Sequence, residues 1–410
     1  MATEITKQEL FEEIKAAREK KKTPDLSKKV LHNENLKDAD LLGVKLQGSD
    51  LQGCSLEGVN LQGANLQSAS LQNVNLQNAQ LQGADLKGAN LLGANLNGAN
   101  LLGASLEKAN LTDASLQNAN LEQANLQKAT VSNIQLDHTD LREADLSGLD
   151  LRGVNLSTAQ LQRVKMAGAD LSGGNFDGFN LTGAVLQGAN MAGASLKQAN
   201  LEQADLSKLG GASLFGGVFG GNKSTETNLA QADLSGANLT GARLTEVNFK
   251  KAVLVAANLT KADLGEAQLL EAQLVEANLQ QASLEKTNLQ KAILHKAQLQ
   301  RANLSEADLQ GASLREANLQ QAKCEFGVFY AGDLQDANLA GADLAQADLQ
   351  SANLQRANLQ GADLQNASLG MADLQETDLR GTCLKSARYN DKTKWPPGFD
   401  PALVVGITPE

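Results

Sequence analysis

From Leu36 to Leu206 every fifth residue is apolar, and the residue two before it is usually alanine. The unit reads Ala-(Asn/Asp)-Leu-X-X, as in Ala94-Asn95-Leu96-Asn97-Gly98. Leu fills 31 of the 35 centres; Val131, Met166, Phe176 and Met191 fill the rest. The beat resumes at Leu229 and runs to Tyr389, with Leu at 29 of 33 centres and Phe249, Cys324, Phe329 and Tyr389 at the others. A period of five matches neither helix nor strand, whose apolar repeats are about 3.6 and 2.0 residues. A chain that turns by about 90° every five residues does satisfy it, because alternate residues share a face along an extended segment. The Leu and the small residue two before it then point to the axis, and the other three positions face outward.

One such unit cannot bury its Leu, but stacked coils can. Each buried Leu contributes roughly 1.5–3 kcal/mol, and dozens in a column offset the entropy of ordering the chain. Proline would remove donors from the ladders between coils. The five prolines are Pro24, Pro396, Pro397, Pro401 and Pro409, all outside the Ala-rich beat. The pattern over 31–390 resembles the pentapeptide repeat protein family. That resemblance implies an all-β solenoid, a right-handed quadrilateral β-helix with four units per coil. The 68 regular units would make 17 coils, a rod of roughly 80 Å at the strand spacing of about 4.8 Å. The expected organisation is a helix and cap over 1–30, a first array over 31–206, a break over 207–228, a second array over 229–390, and a capping segment over 391–410.

Residues 5–22 read as a helix. Thr6 and Glu9 form a capping box, Ile5 and Leu10 a hydrophobic staple, and Leu10, Ile14 and Ala17 an apolar stripe. The helix is read as a cap on the first coil, or else as a partner-binding helix helped by Lys20-Lys21-Lys22. At the other end, Tyr389 to Pro401 holds the only Trp and most prolines, and resembles the closing segment of bacterial, notably cyanobacterial, family members. Trp395 and Phe399 are suited to cover the last apolar layer, and no long amphipathic helix follows. Leu206 and Leu229 are 23 residues apart, four fives plus three. The expectation is a three-residue insertion near 207–211, with Ala212-Ser213-Leu214 and Gly217-Val218-Phe219 keeping the beat. The break is then a joint between two segments or a binding loop. It is not a phosphate loop, because GxxxxGK[ST] is absent.

Cys54 sits at an inward small position, Cys324 at a centre and Cys383 outward. This scattered set suggests reduced thiols, two of them small core residues. No His/Cys cluster has metal-ligand spacing, and no cofactor is expected. No apolar run approaches the length of a membrane span, and the charged N-terminus lacks a signal-peptide apolar region. A cytoplasmic location is the expectation.

Some family members mimic DNA and bind type II topoisomerases. The net charge here is −11, and 36–206 holds 17 acids against 10 bases. A duplex carries about 50 charges over the implied rod length, and residues 58–84 and 88–106 carry none. The Leu46 face mixes Lys45, Lys87, Lys128 and Lys165 with Asp85, Asp145 and Asp205. An ordinary solvated surface is the better reading. Outward positions that are normally polar hold Val253, Val255, Val275 and Ile293 on three successive coils, with Leu270 on the adjoining face. This is either a partner contact or a set of exposed β-favouring residues. The irregular stretch from Cys324 to Tyr330 sets Phe326, Val328 and Tyr330 outward, as a local bulge or a second contact. Phe179, in a slot usually held by Ala, suggests local swelling. No catalytic arrangement emerges. The sequence therefore reads as a non-enzymatic binding or scaffold protein for an unidentified protein partner. It is expected to be a monomer, with a dimer as the alternative, and without direct nucleic-acid or membrane binding. The alternative function is a DNA-mimic regulator of a type II topoisomerase.

Overall fold

The computed structural model describes residues 3–209, 225–404 and 406–409. Its repeating geometry is set within five residues. The Leu66 carbonyl accepts the Ala69 N–H at 3.1 Å, closing a turn whose third residue, Ser68, has φ +53°. That combination marks a type II turn, and Gly and Asn suit the third position because they tolerate positive φ. Asn65 Oδ1 accepts the Gln67 N–H at 3.1 Å. This local bond explains why Asn or Asp precedes almost every centre. Ala64 and Leu66 are both buried and face the axis.

Successive coils join through parallel ladders. Leu66 N–H donates to the Asp85 carbonyl at 2.7 Å, and Asp85 N–H donates back to the Ala64 carbonyl at 2.9 Å. Four bridges recur per turn, as in Asn65↔Asp85, Ser70↔Asn90, Asn75↔Asn95 and Gln80↔Asn100. The step of twenty residues with one bridge on each side defines a quadrilateral β-helix. The chain divides into two compact units, one built from Met1–Leu171 and Asn180–Ala189, the other from Ser172–Phe179, Asn190–Gly210 and Ser224–Glu410.

In the first unit, β1 (Thr3–Glu4) pairs in parallel with β2 (Lys29–Val30), and α1 spans Lys7–Glu19. The Thr6/Glu9 capping box is present. The helix is shorter than 5–22, because Lys21 turns left-handed at φ +54° and Lys22 N–H reaches back to the Ala17 carbonyl at 2.9 Å. That closure ends a helix. Leu10 and Ile14 are buried, and so is Leu26, although its coil has no coil before it. The helix is what covers that layer. Glu13 pairs with Lys29 at 2.8 Å and Arg18 with Asp40 at 2.9 Å, fixing the helix across the coil. The array begins earlier than residue 31. The first bridge is Asp25↔Lys45, and Leu26 and Leu31 keep phase with Leu36. Pro24 takes the buried inward slot, where its missing N–H costs nothing because no five-residue unit precedes it to accept the bond.

The break is not a joint. Asn190, Ser195, Asn200 and Asp205 bridge to Asn228, Asp233, Asn238 and Arg243, each 38 residues on. Leu229 is therefore the centre that directly follows Leu206. The register therefore steps over eighteen residues rather than three, and the Leu209 N–H donates to the Thr225 carbonyl at 2.8 Å. The triplets around Leu214 and Val218 lie outside the described residues.

The stretch around Phe329 is not a bulge either. Lys323↔Asp343 and Val328↔Asp348 keep the twenty-residue register. Phe329 fits because its neighbours shrink: Gly327 takes the inward slot, where a Cβ would meet the ring at 2.9 Å, and Cys324 takes the preceding centre. Phe179 is half-buried rather than fully inside, edge-to-face with Phe176 at 5.4 Å. At the C-terminal end, β3 (Arg388–Tyr389) pairs in parallel with β4 (Thr408–Pro409). Trp395 stacks on Phe399 at 4.9 Å and meets Tyr389 edge-on at 5.6 Å, beyond the last Leu layers. Cys54 and Cys324 are buried and Cys383 is exposed. No helix among the described residues is long and apolar enough to cross a membrane.

Candidate interaction surface

Because ladders align residues twenty apart, each outward position forms a column down one side. The residue before each Leu supplies one column: Asp233, Val253, Gln273, Ile293 and Ser313. Val253 and Ile293 thus lie on either side of Gln273 rather than in contact. The residue after each Leu supplies the parallel column on the same side. Gly236 and Ala256 N–H groups donate to the Val255 and Val275 carbonyls at 2.8 and 2.9 Å, placing these valines on adjacent coils, with His295 next. Ile293 is 38% exposed, and the three valines are half-buried. The structure therefore gathers Val253, Val255, Val275 and Ile293 into one diagonal apolar strip on three coils.

Paired charges frame the strip. Lys251 meets Glu271 at 3.4 Å, Lys296 meets Glu316 at 3.8 Å and Arg315 meets Asp333 at 3.5 Å. His295 Nε2 lies 2.6 Å from the Ser313 hydroxyl. Most of these are residues one coil apart at the corners, where the sequence puts charges instead of glycine.

Leu270 belongs to a different column. Lys251 N–H donates to its carbonyl, and the column continues through Gln290 and Gln310 to Tyr330. Leu270 and Tyr330 thus share a side but are separated by two glutamines. Phe326 and Tyr330 are 51% and 38% exposed, with Phe326 at a corner at φ +58° and Val328 between Asp308 and Asp348. Nearby, the Asp343 carboxylate holds the Glu325 carboxyl above its usual range. Further on, hydrogen bonds from Arg356 at 2.7 and 2.8 Å hold Asp336 below its own. The capping residues Leu10 and Ile14 are buried, and Trp395 and Phe399 are half-buried at the other end.

Sequence reading missed other exposed apolar side chains: Leu42, Leu92 and Leu102 in the first unit and Met371 in the second. The three leucines follow a centre, where Gln is the common residue, so an apolar residue just after a Leu was the available signal. Two hollows elsewhere in the second unit are polar. One of about 310 Å³ is lined by Glu226, Glu246, Glu266, Gln268 and Lys286. Another of about 300 Å³ is lined by glutamines and Arg301. Among the described residues, no group of three or more His, Cys, Asp or Glu is arranged to hold a metal ion.

A four-sided solenoid of five-residue units, with its inward Leu and Ala columns, defines a class of repeat protein. The family model for pentapeptide repeats matches residues 39–208 and, with short gaps, 225–388. The chain belongs to the pentapeptide repeat family, whose members form right-handed quadrilateral β-helices and are generally non-enzymatic. Comparison with curated protein sequences returns no match. Among solved structures, it is 32% identical to HetL, a pentapeptide repeat protein involved in heterocyst differentiation regulation from the cyanobacterium Nostoc sp. strain PCC 7120, over 61% of this chain and 89% of that one, with a TM-score of 0.25. Another pentapeptide repeat protein from Nostoc PCC 7120 is 36% identical over 29% of this chain and 84% of that one, with a TM-score of 0.15. Trypsin-treated QnrB1, a plasmid-mediated fluoroquinolone resistance protein, is 22% identical over 43% and 84%, with a TM-score of 0.20.

Proposed function

We propose that this protein is a non-enzymatic scaffold that presents sides of its β-helix to a protein partner. The observation that carries the reading is the strip of Val253, Val255, Val275 and Ile293, four apolar side chains at outward positions on three consecutive coils. Isolated exposed apolar residues need no explanation, but a contiguous set framed by polar groups has the make-up of a contact surface. Acidic side chains along the outside are tied into neighbours: Glu107 pairs with Lys87 at 2.7 Å and Asp205 with Arg243 at 2.8 Å. Carboxylates held this way support a solvated surface better than a catalytic pair.

The test is affinity capture with the full chain and with a Val255→Asp plus Ile293→Asp variant. The variant is expected to fold, since both side chains point outward, and to lose its partner. Capture that is unchanged by the two substitutions overturns the reading. The topoisomerase alternative has no comparable observation in its favour, because bases interrupt the acidic columns and pair with them. A supercoiling assay that shows inhibition at micromolar protein would reinstate it.

A further inference from the structure

We propose that the first side of the first coil, with the end of α1 that leads into it, is a docking site for an acidic segment of a partner protein. Residues 15–29 hold seven bases against two acids in a chain whose net charge is −11. The left-handed turn at Lys21 delivers Lys20, Lys21 and Lys22 to the entry of that side. Lys28 stands at its far corner, and Lys45 sits one coil on, above Asp25 at 3.9 Å. Lys20, Lys21, Lys22 and Lys28 are exposed, and among the described residues none of the four forms an ion pair.

Cations at a helix C-terminus are favoured by the backbone dipole, which accounts for lysines next to α1. It does not account for Lys28 or Lys45, which belong to the coils.

The extent of the basic site limits its occupant. Two exposed carboxylates lie among the lysines, Glu19 and the Asp25 that faces Lys45; those of Glu9 and Glu12 lie toward the other end of α1, and Asp38 lies further round the coil. A nucleic acid or an anionic bilayer reaching beyond the lysines would be pressed against them. A short run of Asp and Glu on a protein would not, and like-charge contact of that kind is what discriminates between partners. The inference rests on the protein-binding reading but uses a separate surface.

The experiment is fluorescence anisotropy on the full chain, using a labelled peptide with six consecutive glutamates, its glutamine counterpart, a single-stranded oligonucleotide and vesicles of anionic phospholipid. The glutamate peptide is expected to bind, to weaken about tenfold between low and high salt, and to be lost in a Lys20→Gln, Lys21→Gln, Lys22→Gln, Lys28→Gln variant with an unchanged circular dichroism spectrum. Equal binding of the glutamine peptide, unchanged binding by the variant, or tighter binding of oligonucleotide or vesicles overturns the proposal. If the glutamate peptide fails while Val255→Asp plus Ile293→Asp still loses its partner, this inference falls and the protein-binding reading stands. If both fail, that reading falls as well.

Discussion

Gly327 shows how little freedom one residue has inside the column. A Cβ there would lie 2.9 Å from the Phe329 ring and 3.0 Å from the Cys324 carbonyl. Gly327→Ala is therefore expected to destabilise the second unit by about 1–3 kcal/mol, the usual cost of overpacking, read as a lower denaturant midpoint. Adding Phe329→Leu should recover part of the loss by removing the ring, and no recovery would show that the strain lies in the backbone. Thr287 tests the opposite case, a polar group in the inward slot. Its hydroxyl donates at 2.9 Å to the Leu264 carbonyl, which already accepts the Ala267 N–H at 3.0 Å. The Thr139 and Thr377 hydroxyls repeat the arrangement, donating to the Leu116 and Leu354 carbonyls one coil back. Valine occupies the same slot at Val44, Val59 and Val247 without exposure, so Thr287→Val should fit and cost only the hydrogen bond, about 1 kcal/mol. A loss much larger than that in chemical unfolding would mean that the hydroxyl also sets the coil geometry. Gly327 and Phe329 share one five-residue unit and are paired by the period itself, whereas the reach of Thr287 to Leu264, 23 residues back, needs the register.

At the scale of elements, the sequence carried most of the architecture, and its failures have identifiable causes. The Leu and Ala columns, the capping box and the aromatic C-terminal segment all follow from periodicity and local chemistry. The start of the array was hidden because Pro24 and Lys29 fill the slots that Ala fills elsewhere, although Leu26 and Leu31 keep time. The break was misread because spacing allows two solutions, and counting fives through Leu214 is as regular as omitting eighteen residues. Only the ladder from Asp205 to Arg243 distinguishes them. The apolar strip was legible as four outward positions, but the placement of Gln273 between Val253 and Ile293 needs the register. The break now gives a direct prediction. Deleting 208–225 joins Leu206-Ser207 to Glu226-Thr227-Asn228-Leu229 and restores a regular unit, with Thr227 in the buried slot. The shortened protein loses the exposed Lys208–Glu246 pair, which is worth little at a surface, and should keep the far-ultraviolet spectrum and melting temperature of the full chain. A collapse of either would show that the eighteen residues belong to the fold.

At the scale of the whole molecule, the question is what keeps a β-helix from adding further copies of itself. An open coil presents unpaired N–H and C=O groups, which template association. Here each end of the array has its own device. In the first unit, α1 buries Leu10 and Ile14 over the Leu26 layer, and β1 adds a strand beyond it. In the second unit, β4 continues the ladder for two residues while Trp395 and Phe399 stack beyond the last leucines. A net charge of −11 adds mutual repulsion between copies. The chain should therefore run as a monomer of 43.1 kDa in light scattering, at low as well as moderate salt. Leu10→Asp with Ile14→Asp should expose the first layer and give concentration-dependent species of higher mass, while the unaltered chain does not. If the double variant stays monomeric, the helix is not what protects that end, and its basic C-terminus is left as the main reason for its presence. If the unaltered chain is itself a stable dimer, the apolar strip or the covered ends take part in self-association, and the partner sought by capture is first of all a second copy.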